Sequence, residues 1–335
     1  MEILFELSKE HNTIPKSEII SCLKAEGIIF NIIRSDSDVF IIQSDISKNK
    51  IHRLAERLSF TFFIDEILFS CGNNVNEIME NANNSIITQR GSIAINYKNR
   101  SKNINSRSIL KIIGDIFTKN RQVNLDNPDI QIRVFITDKN IYVGINIAKI
   151  NRSEFEKRKV QKRPFFSPIS LHPKLARALV NFSQIKKDQK LLDPFCGTGG
   201  ILLEAGLIGA RPIGCDIEEK MVEGCKKTLK YYKIKDFLLY TSDIGNIDSH
   251  IGNVDAVVTD LPYGKSTTTK GENIDILYNR SFNIISKILK NNGIAVVVSP
   301  NKNIFQFGKN YFSTIEEHEI KVHRSLTRYI GLFQK

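Results

Sequence analysis

Between residues 191 and 300, five short runs stay apolar along their length instead of at every second position, and helix-like stretches separate them. The runs are "LLDPF" (191–195), "PIGCDI" (212–217), "FLLYTSDI" (237–244), "VDAVVTDLP" (254–262) and "GIAVVVSP" (293–300). "EEKMVEGCKKTLKYY" and "SFNIISKILKNN" are two of the intervening helical stretches. A strand apolar on both faces must be covered on both, and strands joined through helices run parallel. The pattern predicts a doubly wound, Rossmann-like α/β domain. The chain's end breaks the rhythm: "TIEEHEIKVHRSLTRYIGLFQ" reads as two strands joined at "SL", an antiparallel hairpin.

Ligands of such sheets bind beyond the carboxyl ends of the strands. In "LLDPFCGTGGILLEAGLIGA" (191–210), Asp193 stands at such an end, and Phe195, Cys196, Gly197, Thr198, Gly199 and Gly200 turn the chain into a helix. The dinucleotide fingerprint would need a glycine three residues after Gly199, where this chain has Leu202. A pyrophosphate also favours a bare, electropositive helix start, and Asp193 would repel it. A ligand carrying an ammonium and a sulfonium suits the acid, and S-adenosylmethionine carries both. Two more acids agree. Asp216, followed by Ile217, ends the second strand, where a carboxylate accepts from ribose hydroxyls. Asp243 ends the third, placed to accept from the adenine amine while the backbone of Ile244 reaches the ring.

Asp260, Leu261, Pro262 and Tyr263 end the fourth strand and match the [DNS]-x-P-[YFW] motif of amino-methyltransferases. An exocyclic amine is a poor nucleophile because its lone pair is delocalised into the ring. A carboxylate oxygen and the adjacent backbone carbonyl can accept its two hydrogens and aim that lone pair. Tyr263 offers a stacking face, worth roughly 1–3 kcal/mol to a base. The segment does not separate guanine from adenine.

The first 150 residues follow another rhythm. "EILFEL", "PKSEIISCLKAEG", "IIFNIIR", "VFIIQS", "SKNKIHRLAERL" and "FTFFIDEILFS" give strand–helix–strand–strand–helix–strand, the order of a ferredoxin-like domain over residues 1–70. Pro15 opens the first helix and Gly27 closes it. Further on, "SIAINYK" predicts a strand and "NSRSILKIIGDIFTK" an amphipathic helix; "DIQIRVFITDKNIYVGINIAKI" predicts a hairpin turning at Asp138–Asn140. The segment 149–163 holds Lys149, Arg152, Lys157, Arg158, Lys159, Lys162 and Arg163 against Glu154 and Glu156, net +5 of the chain's +12. It reads either as a solvated connector or as a track for a phosphate backbone.

Charge and composition bound the function class. A pI near 9.4 favours a polyanionic partner. No window approaches 18 uncharged apolar residues, so no membrane span is expected. "MEILFELSKEH" carries acids where an export signal needs bases. Cys22, Cys71, Cys196, Cys215 and Cys225 form no C-x-x-C pair and no zinc spacing, as expected of reduced cytoplasmic thiols and no metal site.

"VNLDNPDIQIRVFI" (123–136) resembles the THUMP domain of RNA-modifying enzymes. "RPFFSPISLHPKLARALVN" (163–181), "DPFCGTGGILLEAG" and "HRSLTRYIGLF" (323–333) closely resemble the archaeal tRNA (guanine(10)-N2)-methyltransferase family. The resemblance implies a ferredoxin-like domain over 1–70, a THUMP RNA-binding domain over 71–148, a basic linker over 149–166 and a class I methyltransferase domain over 167–335. It implies S-adenosylmethionine as cofactor, tRNA as partner, and one or two methyls on the amine of guanosine 10. A small activating subunit accompanies fungal and animal relatives; the chain is otherwise expected to be monomeric. Phe165, Phe166 and Pro168 are expected beside the cofactor or target base, and His172-Pro173 to open a helix without His172 acting as a base. Two alternatives stay open on the residues alone: an amino-methyltransferase of another RNA base, and a non-catalytic RNA-binding subunit that keeps the fold.

Overall fold

The first six elements are β1 (Glu2–Leu7), α1 (Ile14–Ala25), β2 (Asn31–Ser35), β3 (Val39–Gln43), α2 (Lys48–Arg57) and β4 (Thr61–Cys71) in a computed structural model that describes residues 1–167, 170–263, 272–324 and 326–335. Pro15 lies in the first turn of α1, and the chain leaves that helix through Gly27 at φ +62°. The acidic turn between β2 and β3 forms because Asp36 Oδ1 accepts the N–H groups of Asp38 and Val39. The four strands pair antiparallel in the order β2-β3-β1-β4, the ferredoxin-like arrangement.

Next come α3 (Val75–Asn84), β5 (Ile93–Asn99), α4 (Ser106–Phe117), β6 (Ile130–Ile136) and β7 (Ile141–Lys149). The hairpin β6–β7 turns where expected, closed by the Thr137 N–H to the Asn140 carbonyl at 2.9 Å. The sheet does not stop at residue 71. The 11-residue β4 gives Thr61–Glu66 to β1 and pairs with β7 from Phe63 to Cys71, so all seven strands form one sheet ending β4-β7-β6-β5. Helix α3 was not expected from the sequence. Its trace there is local: Asn74 caps the N–H groups of Asn76 and Glu77, and Val75, Ile78, Met79 and Ala82 fall at helical spacing, with Ile78 and Ala82 buried.

Two compact bodies result. One comprises residues 1–9, 28–55 and 61–150; the other comprises residues 10–27, 56–60 and 151–335. Helix α1 thus belongs with the C-terminal residues. The fully buried Glu18 carboxylate accepts from the Ser59 and Phe60 N–H groups, the Ser59 hydroxyl and the Asn181 amide. Removing any one donor would leave part of a buried acid unsatisfied.

The second body continues with α5 (Ser153–Lys157), α6 (Pro173–Phe182), β8 (Lys190–Asp193), α7 (Gly200–Leu207), β9 (Arg211–Asp216), α8 (Glu219–Tyr231) and β10 (Leu238–Thr241). It ends with β11 (Val254–Asp260), α9 (Ile274–Ile288), β12 (Leu289–Ser299), α10 (Phe305–Lys309), β13 (Ser313–His323) and β14 (Leu326–Gln334). The order is β10-β9-β8-β11-β12-β14-β13, parallel through β12 and antiparallel for β14 and β13. This is the doubly wound sheet with a terminal hairpin. The unbroken apolar runs have their reason in the core. Leu191, Ala256, Val258 and Val296 pack on one face, while Leu192, Val257, Ala295 and Val297 pack on the other. The chain steps outward from β8 to β10 and returns to β11 beside β8, which opens a crevice at the carboxyl ends of those two strands.

Candidate active site

Strand ends meet at that crevice. A cavity of about 220 Å³ is lined by Asp193 from β8, Asp216 from β9, Asp243 after β10 and Asp260 from β11, together with Glu218 and Glu272. Phe195, Cys196, Gly197, Thr198 and Gly200 line it, as do Ile217, Ile244, Leu261, Pro262 and Tyr263. Among the described residues no Lys, Arg or His lines this wall. Among the described residues the six carboxyl groups outnumber the guanidinium groups that reach them, so the wall disfavours a pyrophosphate and suits a cationic ligand.

Asp193 makes the strongest demand. It is 2% exposed, and its Oδ1 accepts from the Thr259 hydroxyl at 2.8 Å and the Phe195 N–H at 3.2 Å. Burial pushes its carboxyl up to about 7, and the neighbouring Asp260 and Asp216 push the same way. Neither hydrogen bond carries a positive charge, so a buried acid here is matched to a cation that arrives with the ligand. That requirement fits S-adenosylmethionine, whose ammonium and sulfonium are both positive.

The glycine turn is shaped for close approach. Gly197 at φ +48° donates its N–H to Asp216 Oδ2 at 2.9 Å, so the second acid pins the loop of the first. Asp216 Oδ1 accepts from the Glu218 N–H at 3.0 Å, and burial raises its carboxyl above the ordinary range. Gly199, at φ +80°, does not line the cavity but backs the turn. A Cβ there would lie 2.5 Å from the Cys225 sulfur. Two constraints therefore demand glycine at one position.

Asp243 is more committed than the sequence suggests. Its Oδ1 accepts the Gly245 N–H at 2.7 Å, and Arg280, which also holds Glu272, pairs with both of its oxygens. Asp243 lines the cavity beside Ile244, and its carboxylate also caps a turn and anchors the wall through Arg280.

At the end of β11, the Tyr263 hydroxyl donates to Asp260 Oδ1 at 2.9 Å, and Arg328 Nε donates to the same hydroxyl oxygen at 2.9 Å. Arg328 Nε lies 3.9 Å from Asp260 Oδ2. Burial pushes the Asp260 carboxyl up to about 6, against the pull of Arg328 and the Tyr263 hydroxyl. The Tyr278 hydroxyl fixes the motif from the other side by donating to the Pro262 carbonyl at 2.7 Å. Arg328, Tyr278 and Thr259 were not anticipated as site residues. Thr259 left a trace, as a polar residue within an apolar strand that meets no exposure; the other two left none that names a partner.

Several expectations change. Phe165 packs its ring on Gly224, where a Cβ would come within 2.0 Å of it, and does not line the cavity. Phe166 is 53% exposed, and Pro168 lies outside the described residues. The expected helix start at His172-Pro173 stands: His172 caps α6, its Nδ1 accepting the Lys174 N–H at 3.2 Å.

The basic segment divides. Arg158 is buried, with Nε and Nη2 donating to Glu204 at 2.6 and 3.0 Å. Arg163 is buried too, its Nε on the Arg158 carbonyl and its guanidinium against Gly200. As phosphate ligands these two are corrected to internal supports of α7 and the glycine turn, because their guanidinium groups are withdrawn from solvent. Arg152 pairs with Glu10, Lys157 with Glu154 and Lys159 with Glu156. Lys149, Lys157 and Lys162 are exposed and Lys159 partly so.

Residues 160–330 match the RMKL-like methyltransferase domain, and residues 75–146 match the THUMP domain. The chain is 35% identical to the tRNA (guanine(10)-N2)-dimethyltransferase of Methanothermobacter thermautotrophicus, over 100% of each chain. It is 32% identical to the protein of that name from Methanocaldococcus jannaschii, over 99% of each. Among solved structures, TrmN from Thermus thermophilus superposes with a TM-score of 0.56 over 100% of both chains at 15% identity, a likeness of fold.

Proposed function

We propose, from the premise that this chain belongs to the THUMP-bearing, RMKL-like methyltransferase family of archaeal tRNA (guanine(10)-N2)-dimethyltransferases, that it methylates the N2 amine of guanosine 10 in tRNA. In this reading residues 71–148 with the preceding ferredoxin-like residues bind tRNA, 149–166 carry the chain across, and 167–335 perform the transfer. The observation that carries it is one cavity holding both an acid suited to a cation, Asp193, and the amine-orienting acid of a D-x-P-Y segment, Asp260.

Asp193 and the glycine turn would hold S-adenosylmethionine, with Asp216 and the backbone at Ile244 on its nucleoside. The group supplies, when bound, a methyl made electrophilic by a positive sulfur. Everything else falls to the chain. Asp260 Oδ2 and the adjacent backbone carbonyl accept the two amine hydrogens and turn the lone pair outward. Tyr263 offers its ring to the base, offsetting the few kcal/mol that unstacking costs. Alignment of the two reactants supplies most of the acceleration. The amine becomes acidic only once it carries the methyl, so no strong base is needed. His172 fits that view: it is spent as a helix cap, and burial lowers its affinity for a proton.

The test is mass spectrometry of nucleosides from tRNA incubated with pure protein and isotopically labelled S-adenosylmethionine. Labelled N2-methylguanosine or N2,N2-dimethylguanosine at position 10 is expected, with a time course separating one addition from two. Labelled N6-methyladenosine instead would move the substrate to adenine. The same reaction proceeding at full rate without any added protein argues against a required activating subunit.

A further inference from the structure

Arg328 belongs to the antiparallel hairpin, where β14 lies against β12, yet its guanidinium reaches the carboxyl end of β11. It is 8% exposed. We propose that Arg328 is a positioning residue for methyl transfer: acting through Tyr263, it fixes which oxygen of Asp260 receives the target amine and keeps that acid ionised. This rests on the reading of the cavity given above.

The direction of the hydrogen bonds follows from what each group can do. An arginine nitrogen donates and cannot accept. With Nε 2.9 Å from the Tyr263 oxygen, that oxygen must be the acceptor. The phenolic proton is then directed to Asp260 Oδ1, 2.9 Å away. Without Arg328 the hydroxyl could turn about its bond and leave Oδ1. With Arg328 the relay runs one way, and Oδ1 is taken. Arg328 Nε stands 3.9 Å from Oδ2, beyond hydrogen-bond reach but well within Coulombic range. Among the described residues no donor is bonded to Oδ2, which is thus the oxygen that takes an amine hydrogen.

The charge matters as much as the geometry. Burial pushes the Asp260 carboxyl up, and it stands beside the like charge of Asp193. Arg328, with the Tyr263 hydroxyl, pulls the other way, and among the described residues it supplies the positive charge that does so. A protonated Asp260 offers a weaker, uncharged acceptor, so loss of the guanidinium would remove activity most where that acid is closest to titrating. A residue that merely fills space would lower the rate equally at every pH.

Single-turnover methylation of tRNA by the full chain, followed from pH 5.5 to 9.5, tests this. Arg328→Gln is expected to lose about threefold in rate at pH 6.5, about eightfold at pH 5.5 and much less at pH 9, its acid limb moving up by about one pH unit from the Asp260 value of about 6. Dissociation constants for tRNA and for S-adenosylmethionine should stay within about twofold, because other groups carry them. Arg328→Lys should restore the limb, since it keeps the charge, without restoring the full rate, since it lacks the fixed Nε. In a Tyr263→Phe background the Arg328→Gln loss should shrink, as for residues acting through one another. An unmoved limb, or losses that simply add, overturns the proposal. If Arg328→Gln does not fold, Arg328→Lys decides: a wild-type rate at all pH overturns it, and a wild-type limb at a lowered rate supports it. A wild-type protein that methylates no tRNA guanosine fails the functional reading instead, so the two failures are distinct.

Discussion

Cofactor binding should expel a proton, because Asp193 is a buried acid in an acidic wall. Its carboxyl is pushed up to about 7 by burial and by Asp260 and Asp216. A cation lodged against it restores the charged form. The sign follows. Below about 7 the ligand-free protein holds a proton at Asp193 that the complex does not, so affinity falls as pH drops through that value. At pH 6, one unit lower, removing the proton costs about 1.4 kcal/mol, roughly tenfold in affinity. At pH 5.5 the loss grows to about thirtyfold, and by pH 7.5 it has nearly gone. The window closes there, because an α-amino group on the ligand starts to lose its own proton near pH 7.7–8.0. Titration calorimetry with S-adenosylmethionine, in pairs of buffers with different ionisation enthalpies, counts the protons directly. Asp193→Asn should bind weakly at pH 7.5, and the part of the pH dependence that remains would belong to Asp216, whose carboxyl is also raised. Wild-type affinity that is flat from pH 6.0 to 7.5, with no proton released, would refute the reasoning.

Asp260→Ala should slow single-turnover methyl transfer by about tenfold to a hundredfold at least, since a charge-assisted hydrogen bond is worth about 1.5–3 kcal/mol, while tRNA affinity barely moves. A wild-type rate would place the chemistry elsewhere. Gly199→Ala combines a positive φ with a Cβ 2.5 Å from the Cys225 sulfur; it should cost about 1–3 kcal/mol by denaturant unfolding, and Cys225→Ala should recover part of that. Arg158→Ala leaves buried Glu204 with one partner fewer, Arg177, and should destabilise the fold by about 3–5 kcal/mol without changing the salt dependence of tRNA binding. Neutralising Lys157, Lys159 and Lys162 together should do the reverse: unchanged melting, with a salt slope flatter by about one to three. Equal slopes in wild type and triple variant would make the segment a plain connector.

The elements were legible wherever one short stretch carries its own reason. Unbroken apolar runs such as "AVVVS" can exist only as strands covered on both faces, and helices supplied the two covers. An Asp closing each of several runs put acids at strand ends, and a parallel sheet necessarily gathers those ends on one edge. Asp193, Asp216 and Asp260 therefore share a wall for a reason present in the sequence. Helix α3 escaped although Val75, Ile78, Met79 and Ala82 stand at i, i+3, i+4 and i+7, because the four apolar residues are short of a long stripe and the asparagines around them read as a turn-rich connector.

Pairings between distant segments were a different matter. That β4 serves both β1 and β7, that α1 belongs with residues 151–335, and that Arg328 addresses Tyr263 across 65 positions are contacts without a local pattern. The same holds for charge. In "KRKVQKR" every basic residue reads alike, yet Arg158 is folded inward onto Glu204 while Lys157 is exposed. Periodicity records which face of an element is apolar, because each neighbour within a turn or a pleat is set by the backbone. It does not record which distant carboxylate a guanidinium will meet, since that depends on the packing of elements whose order in space the chain settles only when it closes its sheets.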